Sequence, residues 1–331
     1  MTTIGYAAAL EQFHPTDALA TAELAEQHGF SGVMAADHFQ PWTPTQGQSA
    51  FVWNVLAALG ERTKGTIGPG VTTPTFRYHP AIVAQASATL AAMYPDRHWL
   101  GVGSGEALNE RIIASYWPEA PERINRMFEA IELIKQLFEA SIAGKDTRFA
   151  GDYFVMESTR LWTMPPQAPP IYVATGGPVT ARRAGRHADG LITVGAPAEK
   201  IAHLFDRFAR GAREAGKNPA DLPRMLQLHL SWAPTDAEAM AQAIREWPNG
   251  GMKFPKADIR SPHDFAEMAK LVREEDFAGR MVISADPDEH RKAIQGFIDL
   301  GFDHIYLHNV GRNQHEWVEV FGREVLPGLV H

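Results

Sequence analysis

The sequence predicts a (β/α)8 TIM barrel, and three observations point to it. Strand-like and helix-like segments alternate along almost the whole chain, the pattern of a parallel α/β fold. Eight of these segments read as strands, the number that closes a barrel. Several end in polar or glycine-rich clusters, and ligands bind at the carboxyl ends of strands in such folds. A doubly wound open sheet is the alternative. It needs a glycine-rich turn after the first strand, which Ala8-Ala9-Leu10-Glu11-Gln12 does not supply. The chain has 331 residues, 45% of them hydrophobic, and is read as one barrel domain over residues 1–331.

The first strand is expected at residues 4–10. An Ala- and Glu-rich helix follows at 16–28 and stops at Gly29. The second strand is placed at 32–36 and the third at 65–71. Pro80 suits the first turn of a helix at 81–93. The fourth strand is placed at 98–102. Ile124, Met127, Phe128, Ile131, Ile134, Leu137 and Phe138 then recur at helical spacing and form one apolar stripe. Residues 146–170 read as an irregular connection with a short hairpin, because Gly151-Asp152 separates two apolar pairs. The fifth strand is 171–174, followed by a helix opening at Gly176-Gly177-Pro178. The sixth strand is 190–194, with a helix at 199–215. The seventh is 226–232, with a helix at 236–246. Residues 249–280 break the alternation with added charge and with Pro255 and Pro262. They read as an insertion, an excursion from the barrel before the last strand, with a short helix near 264–273. A helix at 287–300, the eighth strand at 304–308 and a helix at 316–323 complete the chain.

Composition narrows the function. The formal net charge of −8 argues against a nucleic-acid or anionic-membrane surface. The absence of cysteine removes disulfides, thiolate metal sites and cysteine nucleophiles. No signal peptide or membrane-length apolar run is evident, so a cytoplasmic protein is expected. No His/Asp/Glu spacing reads as a metal site, and no Gly-x-Ser-x-Gly elbow marks an α/β-hydrolase.

Residues just after the strands should line one mouth. They include Glu11, Asp37 with His38, Gly70 with Val71, Glu106, Thr175 to Gly177, Gly195, Trp232 and His308. Three acids and two histidines on one rim exceed what packing needs. His38 suits a general base, since imidazole moves protons near neutral pH. Glu106 reads equally as a proton donor, if burial raises its pKa, or as a cap of the next segment or an arginine partner. Gly176-Gly177 at a helix start reads equally as a phosphate seat or a tight turn. Lys253, Lys256, Arg260 and Arg280 read as a solvated loop surface or as a hold on a phosphorylated substrate. Trp42, Trp53 and Trp232 read as ring walls or as core. His203, His290 and His315 read as surface groups.

At these residues the chain resembles the luciferase-like barrel superfamily, and within it the F420 (deazaflavin)-dependent glucose-6-phosphate dehydrogenases. The resemblance covers nearly the whole chain. It rests on Glu11-Gln12-Phe13, Asp37 to Trp42, Thr73 to Tyr78, Gly103 to Glu110, Gly176-Gly177-Pro178 and Ser284 to Glu289. It implies hydride transfer from the anomeric carbon of a hexose 6-phosphate to F420. It makes His38 the base, Glu106 the proton donor and Trp42 the residue steadying the transition state. It implies cofactor contacts at Asp37, Gly70, Val71, Thr73, Asn109, Gly176 and Gly177, with a cis peptide before Val71. It places Glu11 near the sugar and Lys256 and Arg280 on the phosphate, and implies a homodimer. One position departs: Pro197 stands where the family has a phosphate-binding lysine. A non-phosphorylated alcohol is therefore the rival substrate. A flavin mononucleotide monooxygenase and a flavin-storage protein are the rival functions.

Overall fold

The computed structural model describes residues 2–113 and 116–330. Strand β1 is Thr3–Ala8, followed by helix α1, Pro15–Gln27. Then come β2 (Gly32–Ala35), α2 (Val52–Arg62), β3 (Thr66–Pro69), α3 (Pro80–Met93) and β4 (Leu100–Val102). The short α4 (Ala107–Glu110) and the long α5 (Ala120–Ile142) lead to an antiparallel hairpin, β5 (Thr147–Ala150) and β6 (Val155–Thr159). Next are β7 (Ile171–Ala174), α6 (Pro178–His187), β8 (Gly190–Val194), α7 (Ala198–Glu214), β9 (Arg224–Ser231) and α8 (Asp236–Glu246). The chain continues through α9 (Pro262–Ala269), β10 (Val282–Ile283), α10 (Pro287–Asp299), β11 (His304–Asn309) and α11 (Gln314–Val320).

The parallel strands run β3-β2-β1-β11-β9-β8-β7-β4. Bridges from Ile67 to His98 and from Thr72 to Val102 join the two ends, so the sheet closes as an eight-stranded barrel. The expected fold class stands. Three elements were not anticipated, the short α4 among them. Helix α2 has Phe51 at its N-cap with no side-chain cap bond, so no local start signal marks it. Strand β10 pairs two residues with the end of β9, just after the segment that leaves the barrel. The third strand is shorter than expected and ends at Pro69, after which the Gly70–Val71 peptide is cis.

Alternation along each strand divides the core in two. Ile4, Val33, Ile67, Leu100, Ile171, Leu191, Leu226 and Ile305 face the helices. Ala7, Met34, Trp99, Tyr172, Ile192, Met225 and Tyr306 fill the barrel interior. There Trp99 lies 5.9 Å from Tyr172 and 5.7 Å from Tyr306, ring to ring. Room for these rings comes from glycine. A Cβ on Gly68 would stand 2.2 Å from the Trp99 ring, and one on Gly5 would stand 2.5 Å from the Tyr306 ring. This plug closes the lower barrel and leaves the carboxyl ends of the strands for the site.

The excursion is a packed cap. Met252, Ile259, Phe265, Val272 and Phe277 form one buried cluster with Trp42, Leu108 and Trp247. Ser261 caps α9 by accepting from the Asp264 N–H at 3.1 Å. His290, expected at the surface, is fully buried and its Nε2 lies 2.9 Å from the Ser284 carbonyl. It pins the start of α10 to the end of the excursion.

Gly68→Ala should cost about 1–3 kcal/mol, the range for overpacking a filled core. The urea midpoint should fall accordingly; an unchanged midpoint would show that the plug yields.

Candidate active site

One cation ties the mouth loops together. Arg77 follows β3. Its Nε donates to Glu110 Oε1 at 3.0 Å and its backbone N–H to Glu110 Oε2 at 3.2 Å. Its Nη2 donates to the Asp37 carbonyl at 3.0 Å and lies 3.4 Å from Asp37 Oδ1. Thr72 donates to Asp37 Oδ2 at 2.6 Å, and Tyr78 donates to Asp37 Oδ1 at 3.3 Å. Arg77 therefore joins the segments that follow β2, β3 and β4. All three charged side chains are 4% exposed or less, and buried charges persist only when paired. Asp37 precedes His38, and Glu110 lies one helical turn beyond Glu106, so the same lock places both.

Asn109 completes the hold on the loop after β2. Its Oδ1 accepts from the backbone N–H groups of Phe39 at 2.9 Å and Gln40 at 3.1 Å. Ser49 donates to the His38 carbonyl at 2.8 Å. The His38 Nδ1 lies 3.4 Å from Glu11 Oε1, an ion-pair distance without hydrogen-bond alignment. Its ring centre is 4.9 Å from that of Trp42, which in turn packs 5.2 Å from Phe265 of the cap. Glu106 stands at the N-cap of α4, and its Oε2 has no protein partner. Burial raises its pKa; His38 and Lys256 oppose that rise and Glu11 adds to it. The neutral, proton-carrying acid is thereby favoured.

These groups line one cavity of about 1080 Å³. Glu11, Asp37, His38, Trp42, Gly70, Val71, Thr73, Glu106, Asn109, Gly176, Lys256 and Arg280 all border it. Gly177 does not. Its N–H is taken by the Thr175 hydroxyl at 2.9 Å, which favours the tight-turn reading over a phosphate seat. Trp53 and Trp232 also lie off the cavity: Trp53 packs near His98, and the Trp232 indole donates to the Ala285 carbonyl at 3.0 Å.

The basic residues sort themselves. Lys256 donates to the Asn249 carbonyl at 3.0 Å, and Arg280 to the Met252 carbonyl at 2.9 Å. Burial and the neighbouring Arg280 lower the Lys256 pKa, while Glu106 raises it. Lys253 pairs with Asp276 at 2.7 Å and, like Arg260, does not border the cavity. Pro197 does border it, at the N-cap of α7, and Lys200 in the first turn of that helix borders it as well.

Sequence reasoning missed Gln227, His229, Trp247 and Asn249, all on the cavity wall. For the first two a signal existed. Leu226, Leu228 and Leu230 alternate with Gln227 and His229, the period-2 mark of a strand with one polar face.

The cavity fits a flat cofactor beside a second ligand. It slightly exceeds the usual ~300–1,000 Å³ of a small-molecule site. Ala8, Ala36, Val71, Ala174 and Ile192 give it an apolar wall, and Glu106 brings an unpartnered acid to it. Among the described residues, no group of three or more His, Asp or Glu could hold a metal ion.

Arg77→Met would leave Asp37 and Glu110 buried without their cation. The expected loss is about 3–5 kcal/mol, read by chemical denaturation, and a loss below 1 kcal/mol would rule the lock out.

Comparison with known proteins agrees with this geometry. The model of the luciferase-like monooxygenase family matches residues 1–304. An F420-dependent glucose-6-phosphate dehydrogenase of Microbacterium testaceum is 39% identical, over 98% of this chain and 96% of its own. One from Rhodococcus erythropolis is 38% identical, over 98% of this chain and 97% of its own. Among solved structures, an F420-dependent secondary alcohol dehydrogenase in complex with an F420-acetone adduct matches with a TM-score of 0.93. That match has 35% identity and covers 100% of this chain and 99% of the other. The F420-dependent tetrahydromethanopterin reductase of Methanopyrus kandleri shares the fold, with a TM-score of 0.81 at 21% identity. The closed barrel, the buried acid–imidazole site and these relatives agree: the chain belongs to the luciferase-like monooxygenase family.

Proposed function

We propose that this chain is an F420-dependent dehydrogenase that oxidises the anomeric C1 hydroxyl of a sugar 6-phosphate, glucose 6-phosphate or a related hexose 6-phosphate, to the lactone. The observation that carries this reading is the joint placement of His38, Glu106, Lys256 and Arg280 on one cavity. The dehydrogenase relatives support it. We read the chain as a single-domain, cytoplasmic protein and, as the resemblance implies, a homodimer.

F420, when bound, supplies a two-electron hydride acceptor. Asp37, Gly70, Val71, Thr73, Asn109 and Gly176 would hold it. Asp37 and Asn109 act there through the backbone they organise, since their side-chain oxygens are already engaged. His38 takes the proton of the C1 hydroxyl. Its Nδ1 faces Glu11, which leaves Nε2 as the accepting atom. Glu11 orients the ring and stabilises the imidazolium that forms. Trp42 walls the reacting carbon and keeps water away. Glu106 holds a proton on its carboxyl and releases it into the cavity as negative charge accumulates. Lys256 and Arg280 draw the phosphate to the opening, and Lys200 supplies the cation that Pro197 lacks.

Pro197 also motivates a second reading, a non-phosphorylated alcohol, which the alcohol dehydrogenase relative favours. Mixing the protein with oxidised F420 and glucose 6-phosphate separates the two. Loss of F420 absorbance is expected, and no loss with any hexose 6-phosphate would defeat the sugar-phosphate reading. His38→Ala should lower kcat about 10²–10⁴-fold, the usual share of general-base catalysis. Lys256→Ala removes a charged contact worth about 1.5–3 kcal/mol and should raise KM for hexose phosphates without a matching fall in kcat. Unchanged KM would point to the unphosphorylated alcohol.

A further inference from the structure

Part of the cavity wall carries polar groups that the reaction above does not use. On β9 the leucines at 226 and 230 pack outward, and His229 turns to the cavity. On β11, Ile305 and Leu307 pack outward, and His308 turns to the cavity. His229 and His308 are register partners on adjacent strands, with ring centres 5.0 Å apart. Trp247 stacks on His229 at 4.7 Å with 20° between the planes, and meets His308 edge-on at 4.9 Å. Two residues beyond Trp247, Asn249 joins the same wall.

The polar atoms of this wall lack partners. Asn249 is 5% exposed, and neither its Oδ1 nor its Nδ2 is bonded within the protein. His308 is 4% exposed, and neither of its ring nitrogens is bonded. Burial and the neighbouring His229 hold His308 well below its ordinary pKa, and burial with the charge of Lys256 pushes His229 down to about 4. Both rings are thus neutral at pH 7. A neutral imidazole offers one donor and one acceptor, and a carboxamide offers both kinds. A hydroxyl matches such groups because it donates and accepts at once. An apolar occupant would leave the four atoms unpaired, and buried unpaired atoms cost free energy.

We propose that Asn249, His229 and His308 form a hydroxyl-reading wall that selects a polyhydroxylated, sugar-like substrate over a simple alcohol. The proposal rests on the dehydrogenase reading and adds the residues that choose among alcohols. The wall is carried on two adjacent barrel strands and a tryptophan stack, so it is set before a ligand arrives.

The test compares kcat/KM for glucose 6-phosphate, 2-deoxyglucose 6-phosphate and 2-propanol in the full-length protein with F420. The variants are Asn249→Leu and His229→Phe, with Asn249→Ser as a partial rescue. Binding of F420 alone, followed by fluorescence, reports whether each variant folds. In Asn249→Leu, kcat/KM for glucose 6-phosphate should fall about tenfold or more, mainly through KM, with Kd for F420 within twofold. Efficiency on 2-propanol should fall less, and Asn249→Ser should recover part of the loss. Unchanged kcat/KM in both Asn249→Leu and His229→Phe would overturn the proposal. Equal losses on sugar and simple alcohol would also overturn it, since they mark a structural role. Wild-type protein that prefers 2-propanol refutes the wall while sparing the dehydrogenase reading. Wild-type protein that oxidises none of the three refutes that reading, and the wall with it.

Discussion

The site depends on one buried cation. Arg77 meets Asp37 and Glu110 at once, and these three belong to segments that follow three neighbouring strands. A loop at a barrel mouth is ordinarily the least constrained part of the fold. Here the loops are bound by charge in a place water does not reach, where an unmatched charge is costly. The arrangement is therefore close to all-or-none. With the cation in place, the backbone at His38 and Glu106 is fixed from below, and the two groups need no ligand to bring them together.

A second constraint acts from above. Trp42 belongs at once to the cavity wall and to the apolar cluster of the excursion. Phe265 and Trp247 pack against it, so the cap and the loop after β2 share one core. Gln46 accepts from the Trp42 N–H at 2.8 Å and donates to the Glu246 carbonyl at 3.1 Å. Arg312 then holds the Glu246 carboxylate at 3.1 Å. The segment after β11, the end of α8 and the loop after β2 are thereby joined. Lys256 and Arg280 ride on this cap, which fixes where their charges stand relative to His38 across the cavity.

Much of this was legible in the chain. The acid, imidazole and indole of residues 37–42 follow a buried apolar run, and that placement alone marks a mouth. Glu106 was legible for the same reason. What stayed hidden was of two kinds. Helix α2 begins at Val52 behind Phe51, which makes no side-chain capping bond, so no local start signal marks it. The lock made by Arg77 joins residues 40 and 33 positions away, and no local pattern announces such a contact. His229 was hidden for a subtler reason. Attention to residues beyond strand ends passes over side chains that point inward from within a strand. His290 goes the other way: a polar residue on a helix reads as exposed, although one bond from Nε2 to the Ser284 carbonyl anchors it inside the core while Nδ1 stays unpartnered.

The central claim is that His38 and Glu106 serve one hydride-transfer event in one shared cavity. A double-mutant cycle on kcat/KM, with His38→Ala, Glu106→Gln and the double variant, tests it most directly. If base and acid serve the same event, the double variant should be little slower than the slower single variant, because groups that work as a unit are not additive. If the two penalties multiply in full, the residues act independently and the shared-cavity account is wrong.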